Sequence, residues 1–259
     1  MDYFEKIEQK PKDDLGWNIP EQKSGTVSII GGNSQSFRTE IKVSEFFSNN
    51  YPVKTLNTVL PSTLKTKLPN LPNFLFLSSL EAGSFDNKDE LKAVLDSADY
   101  NLLLGDLSKN NTTGRAVLGA AEITAKPLLI TRDAVDLITD NGANKLLLNE
   151  NVALFASLAQ LQKLLRSVYY PKMLLLSQSL VQVAEVLHKF TLSYPTMIIT
   201  LHSGQILVAK NGIVKAIPME KSNMSMLAIW GGEMAGKIVA MNLYNPDNPI
   251  NATIFAIFS

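Results

Sequence analysis

One segment of the chain carries the residue types that phosphate chemistry needs. Asn223-Met-Ser-Met-Leu-Ala-Ile-Trp-Gly-Gly-Glu-Met-Ala-Gly236 sets Gly231 and Gly232 directly before an acid, Glu233, at what reads as the opening of a helix. A helix start leaves backbone N–H groups unpaired and carries the positive end of the dipole, so it suits an anion. An acid beside such a turn can accept a hydroxyl proton during phosphoryl transfer. The same pattern also serves as a plain packing turn, and the segment alone does not separate the two.

These residues need a scaffold, and the rest of the chain supplies one. Short apolar runs alternate with helical periods. Thr26–Ile30, Val53–Leu60, Phe74–Leu77, Tyr100–Leu104, Pro127–Thr131, Lys145–Leu148 and Met197–Leu201 read as buried strands. Phe37–Asn49, Asp89–Ala98, Thr113–Thr124, Ala134–Thr139, Val152–Leu165, Leu176–Phe190, Gly236–Leu243 and Ala252–Phe258 read as helices. Asn211-Gly212 predicts a tight hairpin between Ile206–Ala209 and Ile213–Ile217. The alternation predicts an α/β fold, a mostly parallel sheet with helices on both faces. In such folds ligands sit beyond the carboxyl ends of the strands. Here those ends carry Gly31-Gly32, Gly105-Asp106, Thr131 to Asp133, Ser203-Gly204 and the Gly231-Gly232 turn. Glycines also end strands for purely conformational reasons.

Composition excludes several classes. The chain has 259 residues, 46% hydrophobic and 19% charged, enough for one large α/β domain. Residues 1–24 read as a polar arm with a short helix around Tyr3–Gln9, and 25–259 as a single domain. Basic and acidic residues balance at 24 each, so no basic field points to nucleic acid or an anionic membrane. Cysteine is absent, which removes thiol nucleophiles and Cys-based metal sites. His188 and His202 are the only imidazoles, so a multi-His metal site is not expected. No apolar run is long enough to span a membrane and the amino-terminal stretch lacks a signal-peptide core, so a cytoplasmic protein is the expectation.

The order of these features resembles the ribokinase-like superfamily, most closely its NAD(P)H-hydrate dehydratase branch. Gly25-Thr-Val-Ser-Ile-Ile-Gly-Gly-Asn33 resembles the opening strand and Gly-Gly turn. Pro61-Ser-Thr-Leu64 resembles a Pro-Glu-Ser-Leu helix start, and Leu102-Leu-Leu-Gly105 the strand before a Gly-Pro-Gly-Leu-Gly loop. Pro127–Leu137 resembles the strand leading into Asp-Ala-Asp-Ala-Leu, Thr200–Gly204 a Leu-Lys-Gly strand end, and Asn223–Gly236 the final glycine-rich motif. The resemblance implies a three-layer α/β/α fold and a site for ADP or ATP with Mg²⁺. It implies that Gly204, Gly231 and Gly232 meet the nucleotide, that Gly32, Gly105, Asp133 and Asn223 line the substrate side, and that Glu233 takes the hydroxyl proton. The family's reaction phosphorylates the hydroxyl of hydrated NADH or NADPH and then eliminates the phosphate.

Several positions depart from the family pattern. Its catalytic Asp aligns with Glu233 when counted from Asn223, and with Gly232 when counted back from Gly236. A longer side chain displaces the carboxylate by about 1 Å, enough to cost about 10²-fold. Asp106 brings negative charge to the phosphate loop, Trp230 stands where a small residue is usual, and Ser203 replaces Lys. The Pro-His-Pro-Gly-Glu segment falls on Leu148-Asn-Glu-Asn-Val152, and the usual last helical segment is missing. Two functions follow. One is a catalytically degenerate pseudoenzyme that binds a nucleotide or a protein partner. The other is an active ADP/ATP-dependent dehydratase (a lyase) or small-molecule kinase using Glu233 as base.

Other residues have plainer readings. Asp133 either orients substrate or Mg²⁺ or caps a helix. His202 and His188 read as satisfied structural histidines, Arg38 as a surface residue, Glu150 as a loop acid, and Leu154, Leu158, Leu161 and Leu165 as core. Phe4, Trp17 and Ile254–Phe258 are candidates for a self-association surface, predicting a homo-oligomer.

Overall fold

A computed structural model describes residues 2–10, 20, 22–68, 71–81, 83–222 and 224–259. Asn223 and Trp17 lie outside the described residues. A ten-stranded sheet runs through the molecule: β1 (Phe4–Lys6), β2 (Thr26–Gly31), β3 (Thr55–Pro61), β4 (Phe74–Leu77), β5 (Tyr100–Gly105), β6 (Leu128–Thr131), β7 (Val152–Phe155), β8 (Met197–His202), β9 (Gln205–Lys210) and β10 (Ile213–Pro218). Their order across the sheet is β1-β10-β9-β8-β7-β6-β5-β2-β3-β4. Every neighbouring pair is parallel except β8–β9 and β9–β10. The helices are α1 (Arg38–Asn50), α2 (Lys88–Ser97), α3 (Asn111–Ala121), α4 (Asp133–Asp140), α5 (Leu158–Ser167), α6 (Leu180–Ser193), α7 (Met226–Gly231), α8 (Glu233–Tyr244) and α9 (Pro249–Phe258).

Alternation along each strand divides the core into two layers. On β5, Leu102 and Leu104 face α1, α8 and α9, while Leu103 joins the layer under α2 to α6. Both faces are covered, which is why the strands read as continuous apolar runs. The expected three-layer α/β/α architecture is therefore present.

Four local expectations are corrected. The stretch around Tyr3–Gln9 is not a helix. Phe4–Lys6 pairs with Val214–Ala216 as an edge strand. Lys145–Leu148 is not a strand, because Leu146–Leu148 forms one 3₁₀ turn. The strand between β6 and β8 is Val152–Phe155, and α5 starts only after it. Ser157 and Gln160 form a reciprocal capping box that sets that boundary. A helical count across Val152–Leu165 thus merged a buried strand with the helix behind it. Finally, Ile254–Ile257 are buried inside the chain, where Asn242 Nδ2 of α8 donates to Thr253 Oγ1 of α9 at 3.0 Å. They are not an exposed surface for self-association. The exposed large apolar side chains include Tyr169, Leu176 and Leu227.

Candidate functional site

The carboxyl ends of β2, β5 and β6 meet the start of α8, and polar loops are stitched together there. After β2, Asn33 Oδ1 accepts from the backbone N–H groups of Gln35 and Ser36 and shapes a turn. Asn33 Nδ2 donates to the Asp106 carbonyl at 2.6 Å, and Gly32 N–H donates to the Gly105 carbonyl at 2.9 Å. Between β5 and β6, Asp106 N–H donates to Asp133 Oδ1 at 2.7 Å. Gly105 is required at this approach. Its φ is +120°, and a Cβ would lie 2.2 Å from Asp133 Oδ1. Asp133 therefore acts on the Asp106 backbone, and the cap position of α4 belongs to Arg132. Burial, outweighing that hydrogen bond, raises the Asp133 carboxyl above its usual range.

The glycine-rich segment is not a simple turn. α7 ends at Gly231, Gly232 is left-handed at φ +100°, and α8 begins at Glu233 without a side-chain cap. The two glycines differ. A Cβ on Gly232 would meet Leu104 Cδ1 at 2.6 Å and Val43 Cγ2 at 3.0 Å, whereas one on Gly231 would meet nothing within 4 Å. The start of α8 keeps the N–H groups and dipole that hold an anion. Trp230 packs on Phe155 at the end of β7, ring centroids 5.5 Å apart, and so covers part of that edge. Gly204 occupies the tight β8–β9 turn after Ser203, two strands from Arg132, with its carbonyl accepting from Met219 N–H.

Two of the acids at this edge, Glu233 and Asp106, are held in ion pairs. Glu233 Oε1 pairs with Lys42 Nζ of α1 at 2.8 Å. Asp106 Oδ1 accepts from Arg132 Nη2 at 2.9 Å, and Arg132 Nη1 donates to the Trp230 carbonyl at 3.1 Å. Asp106 thus does not present an uncompensated charge. Glu40 was not singled out in the sequence, yet its carboxyl is strongly perturbed. It has no exposed surface, neither carboxyl oxygen has a hydrogen-bond partner, and a Cβ on Gly31 would lie 2.3 Å from its Oε1. Burial, then the Asp106 carboxylate, holds its carboxyl well above the usual range. One signal existed: Glu40 lies three and seven residues before Val43 and Phe47, on the buried stripe of α1. Arg132 is also strained, at φ 57° and ψ −141°, a conformation costing about 1–3 kcal/mol, and Asp106 is left-handed at φ 53°, which an Asp adopts more readily than most residues. Strained backbone and perturbed acids cluster at functional sites.

Other candidates are structural. His202 bonds to the Gln178 carbonyl at 2.8 Å, and His188 stacks on Tyr3 and bonds to the Gly212 carbonyl. Arg38 is exposed. The Glu150 carbonyl accepts from Lys210 Nζ at 2.8 Å, beside a cavity of about 210 Å³ at the opposite, amino-terminal edge of the sheet. Among the described residues no three His, Asp or Glu side chains are placed to hold a metal ion, and no helix is long and apolar enough to cross a membrane.

No protein-family model matches the sequence, and no curated protein matches it. Solved structures do. A ribokinase-like superfamily protein of Enterococcus faecalis is 16% identical with a TM-score of 0.70, over 100% of this chain and 86% of that one. A hypothetical protein of Streptococcus mutans is 18% identical with a TM-score of 0.66, over 93% and 82%. The ADP/ATP-dependent NAD(P)H-hydrate dehydratase of Bacillus subtilis, co-crystallised with ATP/Mg²⁺, is 12% identical with a TM-score of 0.59, over 93% and 82%. With this strand order and these layers, the chain has the ribokinase-like fold.

Proposed function

We propose that this protein is a divergent, catalytically degenerate relative of the NAD(P)H-hydrate dehydratases that binds ADP or ATP at the start of α8. The observation that carries the binding half is the uncapped α8 amino terminus, with a left-handed Gly232 before it and the nearby Glu233 and Asp106 held in ion pairs. A phosphate there meets unpaired N–H groups, with Glu233 and Asp106 already held by Lys42 and Arg132. Mg²⁺ would accompany the phosphates and supply charge neutralisation. The observation behind lost catalysis is the Glu233–Lys42 pair, which turns the acid at the base position toward α1. A cytoplasmic location and a homo-oligomer covering some of the exposed apolar side chains belong to the same proposal.

The alternative is an active dehydratase or kinase with Glu233 as general base, favoured by the partial exposure of that side chain at the helix start. Calorimetric titration with ADP and ATP, each with Mg²⁺, tests binding. Micromolar affinity supports the proposal, and no detectable binding of either nucleotide refutes it. Turnover of hydrated NADH that is lost in Glu233→Gln establishes the alternative.

A further inference from the structure

The bridge from β5 through Arg132 to α7 combines features that packing alone does not account for. Asp106 and Arg132 each follow a parallel strand, each has a positive φ, and their side chains are joined by an ion pair. Arg132 Nε–H is buried with no partner. Both oxygens of the fully buried Glu40 are in the same condition, and Glu40 feels the charges of Asp106 and Arg132. Native structures pair their buried polar groups, so unpaired ones on either side of a strained ion pair mark a place where something else binds or moves.

The position of the bridge indicates what that is. The carbonyl that accepts from Arg132 belongs to Trp230, two residues before Gly232 at the cap position of α8. The guanidinium is therefore held beside a helix start whose N–H groups have no side-chain cap. A planar guanidinium offers a fork of donors matched to phosphate, and one edge of this fork, at Nε, is unused. In the described arrangement Asp106 takes Nη2, the donor beside Nε, and the Trp230 carbonyl takes Nη1.

We propose that Arg132 is the anion clamp of this crevice, held back by Asp106 until a phosphate oxygen replaces the carboxylate; the proposal rests on phosphate binding at α8. The exchange makes and breaks hydrogen bonds only. It pairs Nε, moves the Arg132 charge from Asp106 to the ligand, and adds a cation to the helix dipole. Asp106 thus competes with the ligand. Removing Asp106 strengthens anion binding, and removing Arg132 weakens it. A bridge that only held the loops together would suffer in the same direction from either loss.

The test uses the full chain and two probes, Mg²⁺-ADP and inorganic pyrophosphate, titrated calorimetrically into wild type, Arg132→Gln, Asp106→Asn and the double variant. Asn is chosen because it tolerates the φ of 53° at this position. Loss of a charge-assisted fork weakens binding about 10- to 100-fold in Arg132→Gln. Asp106→Asn binds both probes tighter by about 3- to 10-fold, and the double variant matches Arg132→Gln. In a Trp17→Phe background Trp230 is the sole tryptophan, and its emission shifts when ADP opens the bridge but not in Arg132→Gln. Equal affinity of wild type and Arg132→Gln overturns the clamp and leaves the α8 phosphate site standing. Parallel weakening in Arg132→Gln and Asp106→Asn also overturns it, as a structural bridge. No binding of either probe to wild type or Asp106→Asn overturns the phosphate site and the clamp with it. If Arg132→Gln does not fold, Arg132→Lys, which keeps the charge and loses the fork, takes its place beside Asp106→Asn.

Discussion

Gly231 and Gly232 are adjacent and identical in type, yet alanine at each should have opposite effects. At Gly232 the backbone is at φ +100°, which costs an L side chain roughly 1–2 kcal/mol. The added Cβ also meets Leu104 Cδ1 at 2.6 Å and Val43 Cγ2 at 3.0 Å. Both neighbours are fully buried, so neither moves away freely, and overpacking adds roughly 1–3 kcal/mol. Against this, alanine reduces the freedom of the unfolded chain by about 0.4–1 kcal/mol. Gly232→Ala is therefore destabilised by about 1–5 kcal/mol. At Gly231 the φ is not positive and no atom lies within 4 Å of the new Cβ, so only the unfolded-chain term remains and Gly231→Ala gains up to about 1 kcal/mol. Urea denaturation of the three proteins reads both effects as midpoint shifts at constant slope. A Gly232→Ala midpoint within error of wild type refutes the strain argument. A Gly231→Ala loss as large as that of Gly232→Ala refutes the distinction between the two glycines.

Further outcomes follow from the same contacts. Glu40 has a folded-state pKa raised above its unfolded value by burial, so its contribution is fully present below the unfolded pKa and lost as pH rises through the folded pKa. Wild type should lose stability relative to Glu40→Gln on going from pH 4 to pH 8; a pH-independent difference in urea midpoints contradicts the neutral buried acid. The Lys42–Glu233 pair has an exposed lysine, so Lys42→Met should cost under about 1 kcal/mol, and a loss several times larger in thermal unfolding means the pair holds α1 to α8. Ser157→Ala removes the cap that separates β7 from α5 and should cost about 0.5–2 kcal/mol, measured by urea midpoint, with no change rejecting the capping box. Sedimentation should give a mass above that of one chain at micromolar concentration, and a monomer rejects self-association.

What the sequence by itself determined is the scaffold. Apolar runs such as Leu102–Leu104 and Leu128–Ile130, alternating with helical periods, read as strands buried on both faces, and the Asn211-Gly212 pair can close a hairpin almost unaided. Both signals are local, set by side-chain period and by backbone conformational preference, so they survive without knowledge of neighbours. Leu146–Leu148 and Val152–Phe155 show the limit. Both are short apolar runs, and only pairing with β6 and β8 decided which one is the strand. The site was legible as a set of glycine-ended strands and one acid. Its electrostatics were not. Whether Glu233 is free, whether Asp106 repels a phosphate and whether the Glu40 carboxyl is perturbed depend on Lys42, on Arg132, and on burial beside Asp106, all set by groups far along the chain or on another element. Burial and pairing energies arise from distances that the tertiary structure alone creates, so residue type could nominate these groups but could not assign their charge.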